Sequence, residues 1–130
     1  MNLKDTLNES LRGKLRRFKG TQTKEDCSYF PKNKKELKDI IEYRVDEDPQ
    51  CDLNDIWVGD IDDMSYMFQR SAFNGDISRW DVGNVKDMHA MFNGCQFNGD
   101  ISNWDVSNVE DMSDMFRMCP FNSDISNWDV

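Results

Sequence analysis

Four kinds of side chain in this 130-residue chain could do chemistry: one histidine, four cysteines, a recurring set of aspartates and four tryptophans. His89 could serve as a general base, but a Ser-His-Asp or Cys-His nucleophile would need all its parts around that single ring. Ser65 and Ser113 stand at the same place 24 residues to either side, which marks position 89 as an exposed surface position. No G-x-S-x-G, P-loop or G-x-G-x-x-G occurs. Cys27, Cys51, Cys95 and Cys119 lack the C-x-x-C spacing of ordinary zinc sites. Columns of aspartates could hold calcium if their carboxylates converged, yet neither the EF-hand spacing nor the calcium-binding nonapeptide is present. The residues point to no enzyme, no cofactor and no metal, and leave recognition as the chemistry to place.

Recognition needs a repeated surface, and the sequence supplies one. Phe73-Asn-Gly-Asp-Ile-Ser-Arg-Trp-Asp-Val82 recurs with small changes at Phe97–Val106 and Phe121–Val130, a spacing of 24 residues each time. A fixed period in this range marks a stack of supersecondary units that bury their apolar faces against one another. Met64, Met88 and Met112 align, as do Phe68, Phe92 and Phe116, so Asp52–Gly59 is a worn copy of Asp76–Gly83. Units begin near 49, 73 and 97, with a partial unit from 121.

Within a unit Ile77, Trp80 and Val82 fall at relative positions 1, 4 and 6, the L-x-x-L-x-L spacing of leucine-rich repeats with Trp for one leucine. Asn84 and Asn108 read as helix N-caps, with Asp87 and Asp111 three residues on in the manner of a capping box. Val109, Met112, Met115 and Phe116 then share one helical face. The expected fold is an α/β repeat: a leucine-rich-repeat-like solenoid of 24-residue strand-turn-helix units with an N-terminal helical cap. The Phe-Asn-Gly-Asp clusters are loops whose Asn can bond the neighbouring coil's backbone. Cys95 and Cys119 share one column. Coils ~4.8 Å apart would permit a disulfide there, and inward-turned free thiols are the simpler expectation.

In such a strand the residues between inward positions face solvent. That sets Arg79, Asn103 and Asn127 in one column and Asp81, Asp105 and Asp129 in the next, as the candidate partner-binding face. The worn first unit contributes Asp55 and places Trp57 where the later units have Asp. Either Trp57 is an interface anchor, since Trp is enriched among binding hot spots, or a preceding segment folds over it.

Charge is unevenly placed. Residues 1 to 44 carry 12 basic and 7 acidic side chains, whereas residues 49 to 130 carry 4 and 15. A negative array repels phosphate backbones and favours cationic partners, so the expected partner is another protein with a basic or mixed surface, not a nucleic acid. An alternative use of that charge is a small acidic decoy that blocks a basic nucleic-acid-binding groove of a target, such as a phage-encoded anti-defence inhibitor. Residues 1 to 28 form a basic leader, with Leu3, Leu7, Leu11, Leu15 and Phe18 set among Arg12, Lys14, Arg16, Arg17 and Lys19. Such a segment can lie on an anionic membrane, enter a partner groove or fold back on the acidic array. Residues 29 to 48 hold a capping helix: Asn33 and Glu36 open it, and Leu37, Ile40 and Ile41 form its stripe. No stretch nears the ~20 apolar residues of a membrane span, and Met1–Gly20 lacks a signal-peptide core, so the expectation is a soluble, cytoplasmic chain.

The pattern F-N-x-D-I-S-x-W-D-V-S-N-V-x-D-M-S-x-M-F-x-x-C resembles the BspA-type leucine-rich repeat, the bacterial surface protein 26-residue repeat, over about residues 49 to 130. Tyr29–Ile41 also resembles the helical lead-in of such arrays. The resemblance implies protein binding or adhesion, usually on exported proteins, and hence surface display, from which the missing export signal departs. Because the array stops at Val130, Phe121, Ile125 and Trp128 are expected to lack a following coil, and two chains could pair end to end through them.

Overall fold

Asn33 starts the one α-helix among the described residues by accepting a 2.9 Å hydrogen bond from the Glu36 N–H, and the Glu36 carboxylate turns back to accept from the Lys32 N–H at 2.6 Å. The computed structural model describes residues 21–129, and in it α1 runs Lys34–Glu47. Leu37, Ile41 and Val45, four residues apart, are buried, with Ile40 half-buried beside them, so the stripe read from sequence extends to Val45. Ahead of α1 a short 3₁₀ turn spans Lys24–Asp26, and Tyr29 pairs with Ile56 in a parallel bridge. The residues before the array thus close its first edge.

From residue 49 onward, no helix and no strand longer than an isolated bridge forms among the described residues. This overturns the expected architecture. The array is neither an α/β repeat nor a leucine-rich-repeat solenoid of strand-turn-helix units; it is a stack of irregular coils built from turns, touching through parallel bridges at Asp52–Asp76, Asp63–Asp87 and Asp87–Asp111.

Two local facts explain why the expected helix is missing. The N–H groups it would use internally are donated to the next coil instead: Met64 to Asp87, Tyr66 to His89, Phe68 to Met91 and Arg70 to Asn93, all at 2.8–3.0 Å. The same alternation recurs one coil later from Met88, Ala90, Phe92 and Gly94. Alternate donors sit in the left-handed region, at Tyr66 and Ala90 with φ of 60° and 52° and again at Arg70 and Gly94, and the next coil repeats the conformation at Asp114, with φ of 57°, and Met118. A right-handed helix cannot pass through such residues, and each non-glycine there costs about 1–2 kcal/mol that the bonds between coils must offset.

The expected caps serve a different purpose. The side-chain amides of Asn84 and Asn108 reach across to the carbonyls of Gly59 and Gly83 in the preceding coil, both at 2.7 Å. Asp87 and Asp111 fold onto the N–H two residues ahead in their own coil. Ile77, Trp80 and Val82 are all buried, yet the backbone turns between them, with Trp80 N–H bonded to the Ile77 carbonyl and Val85 N–H to that of Val82.

Aromatic rings fill the interior in columns. Phe68, Phe92 and Phe116 stack with centroids 5.4 and 5.6 Å apart and planes within 3°. Phe73, Phe97 and Phe121 form a second column, and Trp80, Trp104 and Trp128 a third at 6.3 and 6.4 Å. Each indole N–H donates to a carbonyl of the coil before it, those of Leu53, Ile77 and Ile101, at 2.9–3.0 Å, so burying the ring leaves no orphaned donor. The Asn of each loop does bond the neighbouring coil: Asn74 accepts from Asn98 N–H at 2.9 Å and Asn98 from Asn122 N–H at 2.7 Å. Cys95 and Cys119 are free thiols that donate to the carbonyls of Phe73 and Phe97 at 3.3 Å. Burial pushes the Cys95 thiol up to about 11, and that of Cys119 upward as well.

Truncating a ring in the middle of a column should be costly. Phe92 is fully buried against Phe68, Phe97, Trp104 and Phe116, and Phe92→Ala is expected to remove about 3–5 kcal/mol of unfolding free energy, read as a lower denaturant midpoint. The thiols give a second test. A rise from 9.0 to about 11 leaves Cys95 with about 100-fold less thiolate near neutral pH, so native-state labelling of Cys95 should be slower than after unfolding by at least that factor. Fast native labelling would show that its side chain does not point inward.

Candidate protein-recognition face

Half of the face expected to bind a partner is occupied by the chain's own residues 22–29. Asp55 gives its carbonyl to the N–H groups of Ser28 and Tyr29, and both its carboxylate oxygens accept from Arg44 at 3.2 Å. The Arg79 carbonyl accepts from Gln22 N–H at 2.6 Å, and its guanidinium pairs with Asp26 at 3.2 Å, both side chains being mostly covered. Arg79 Nε is buried without a partner among the described residues. The Asp81 N–H donates to the Gln22 side chain at 3.3 Å, and the Asp81 carboxylate accepts from Gly83 N–H at 3.0 Å.

Gln22 organises this cover. It is 2% exposed, and its carboxamide sits between the first two coils. Nε2 donates to the carbonyls of Asn54 and Ile56 at 2.9 and 2.8 Å, while Oε1 accepts from Val58 N–H at 3.1 Å and from Asp81. One side chain thereby satisfies two carbonyls and two N–H groups that would otherwise be buried unpaired. Sequence reasoning missed it, because a single Gln in a Thr-Gln-Thr run carries no periodic signal and its partners lie 32 to 59 residues away.

Segment 22–29 and Gly59 supply the described residues placed against Trp57. Its N–H donates to the Tyr29 carbonyl, its ring lies against the Cα of Gly59, and Lys24 Nζ stands 5.8 Å over the ring centroid. It is half-buried, and its indole N–H has no partner among the described residues. The leader positions Leu3, Leu7, Leu11, Leu15 and Phe18 lie outside the described residues, as does Val130.

The other half of the face is open. Asn103, Asp105, Asn127 and Asp129 are all exposed, and the side chains of Asn103, Asn127 and Asp129 bond no described residue. Asp105 accepts from the Ser107 hydroxyl and N–H, and that pair of bonds holds its carboxyl below the ordinary value of 3.8. The same Asp-x-Ser turn, with the hydroxyl first, lowers Asp111 through Ser113, and with the N–H first lowers Asp124 through Ser126. At Asp76 burial pushes upward, but the two Ser78 bonds together with Asn54 and the Arg79 charge outweigh it and the net shift is down. His89, the one histidine, is held by Ser113 Oγ at 2.7 Å and lies edge-on to Tyr66 at 5.1 Å.

Residues 41–130 match the family model described as "Mycoplasma protein of unknown function, DUF285". Comparison with curated proteins and with solved structures returned no match. Among the described residues no helix is long and apolar enough to cross a membrane.

A Cβ at residue 59 would overlap the Trp57 ring. Gly59→Ala is therefore expected to expel that ring, with a red shift in Trp emission and a stability loss comparable to Trp57→Ala, about 2 kcal/mol. Unchanged emission would show that Trp57 does not pack there. The Asp-x-Ser turns predict the acid limb of stability. Their folded values lie below 3.8, so their contribution is present above that pH and is lost as pH falls through the depressed values. The double variant Asp105→Asn, Asp111→Asn should therefore melt slightly lower than wild type at neutral pH and show a flatter fall below pH 3.8, so that the two proteins converge as the pH drops.

Proposed function

The chain belongs to the DUF285 family, and we propose for it non-enzymatic protein recognition through the open half of this face, at Asn103, Asp105, Asn127 and Asp129. One observation carries the reading: the same face is covered by residues 22–29 on the first two coils and left bare and acidic on the next two. Asp105 and Asp129 favour a basic or mixed partner surface. The resemblance of the repeat sequence to the bacterial surface protein repeat supports binding or adhesion as the use, with surface display as one setting for it. In this reading Asp55, Trp57 and Arg79 face the chain's own residues 22–29 instead of a partner.

The test is capture of a partner from the native source by the wild-type chain and by the double variant Asp105→Lys, Asp129→Lys. The variant should retain its melting temperature within a few degrees and lose at least about tenfold in affinity, mostly through association rate. Equal capture by both proteins would remove this face from the interface. A partner that nucleic acid displaces, and that dissociates steeply with rising salt, would assign the acidity to the decoy reading instead.

A further inference from the structure

The seat of Gln22 is not unique to the first two coils. Its four backbone groups, the carbonyls of Asn54 and Ile56 and the N–H groups of Val58 and Asp81, have counterparts 24 residues on. In the second gap these are the carbonyls of Ser78 and Trp80 and the N–H groups of Val82 and Asp105. In the third they are the carbonyls of Ser102 and Trp104 and the N–H groups of Val106 and Asp129. No hydrogen bond among the described residues reaches any of these eight groups, nor the carbonyls of Asn103 and Asn127 that correspond to the Gln22-bonded carbonyl of Arg79.

Building on the recognition reading above, we propose that these two gaps are carboxamide sockets that take Gln side chains of an extended, basic segment of a partner protein. The occupant's chemistry follows from the segment already seated in the first gap. A carboxamide offers two donors and two acceptor lone pairs on a planar group, the set that two carbonyls and two N–H groups require; a carboxylate would fail the carbonyls and an ammonium would fail the N–H groups. The residue's own N–H pairs with the carbonyl at the Arg79 position, so the occupant is extended backbone added along the coil. Lys24, two residues after Gln22, lies over Trp57. In the second and third gaps Asp81 and Asp105 stand in place of Trp57, so a cation two residues after the Gln meets a carboxylate there. The preferred pattern is Gln-x-Lys or Gln-x-Arg, the order this chain itself uses at Gln22-Thr23-Lys24.

Site-resolved amide exchange on the full chain tests this, with a synthetic Thr-Gln-Thr-Lys-Thr-Gln-Thr-Lys peptide as probe and its Gln-to-Leu version as control. In the free protein Val58 and Asp81 amides should be protected, while Val82, Asp105, Val106 and Asp129 exchange fast. Millimolar Gln peptide should slow those four by at least about tenfold, and the Leu peptide should not. No slowing, or equal slowing by both peptides, overturns the proposal, as does prior protection of Val82 and Asp105 equal to that of Val58 and Asp81. Protection that rises with protein concentration alone assigns the sockets to a second copy of the chain and also overturns it. Gln22→Leu should release Val58 and Asp81, with Gln22→Glu retaining part of their protection; if Gln22→Leu leaves both protected, the template itself is wrong. Peptide protection that persists while the Asp105→Lys, Asp129→Lys variant still captures its partner would sink the recognition reading and leave the sockets standing.

Discussion

A coil made of turns has no hydrogen-bond ladder of its own, so its backbone must be satisfied by the coils above and below it. That requirement governs the molecule. Donors at Met64, Tyr66, Phe68 and Arg70 find acceptors 23 residues later, and the repeated Asn, Trp and Cys side chains work across similar intervals. Asn84 and Asn108 reach back 25 residues, the indole N–H groups 27, and the Cys95 and Cys119 thiols 22. Once those bonds fix the offset, equivalent rings must lie over one another, and the columns of Phe and Trp follow as parallel stacks. Near-parallel rings at 5.4 to 6.4 Å are offset arrangements that retain favourable quadrupole geometry while burying the largest side chains the chain has.

How much of this the sequence discloses depends on whether the signal is local. The start of α1 is legible because Asn33 and Glu36 are three residues apart and act on each other's neighbourhood. The identity of buried positions is legible too, since Ile77, Trp80 and Val82 recur with the period and are all covered. Backbone conformation is not. The 1, 4, 6 spacing states which side chains point inward, and both a strand and a pair of tight turns can satisfy it. The left-handed residues that decide for turns are Tyr66, Ala90 and Asp114, types that do not announce positive φ as Gly does at position 94. Asn84 and Asn108 looked like caps for the same reason: an Asn that accepts from its own helix and an Asn that donates to another coil are the same letter.

The worn first unit makes sense as an adaptation to its cover. Where later coils carry Trp at the inward position and Asp beside it, the first carries Ile56 and Trp57, so its large aromatic faces outward over Gly59 and receives Lys24. Asn54, in the place of Ser78 and Ser102, has the length to accept from the Arg79 N–H at 2.9 Å and tie the first two coils together under Gln22. Degeneracy in this unit is thus the imprint of a bound segment.

That imprint separates structural acidity from acidity left for a partner. Most of the array's aspartates are consumed by turns: Asp76, Asp100, Asp105, Asp111 and Asp124 each hold a serine two residues ahead by both its N–H and its hydroxyl or lie in the equivalent bond pair. Net charge alone therefore says little about function, since the turns demand those carboxylates whatever the chain binds. The column of Arg79, Asn103 and Asn127 is different. Asn74, Asn98, Asn84 and Asn108 all have tasks between coils, whereas Asn103 and Asn127 bond no described residue, and the first member of their column, Arg79, is engaged only because segment 22–29 brings Asp26 to it. A polar column that the fold does not use, continuing a line along which the same chain already seats an extended segment, is where an added chain can gain contacts without breaking any that the coils need.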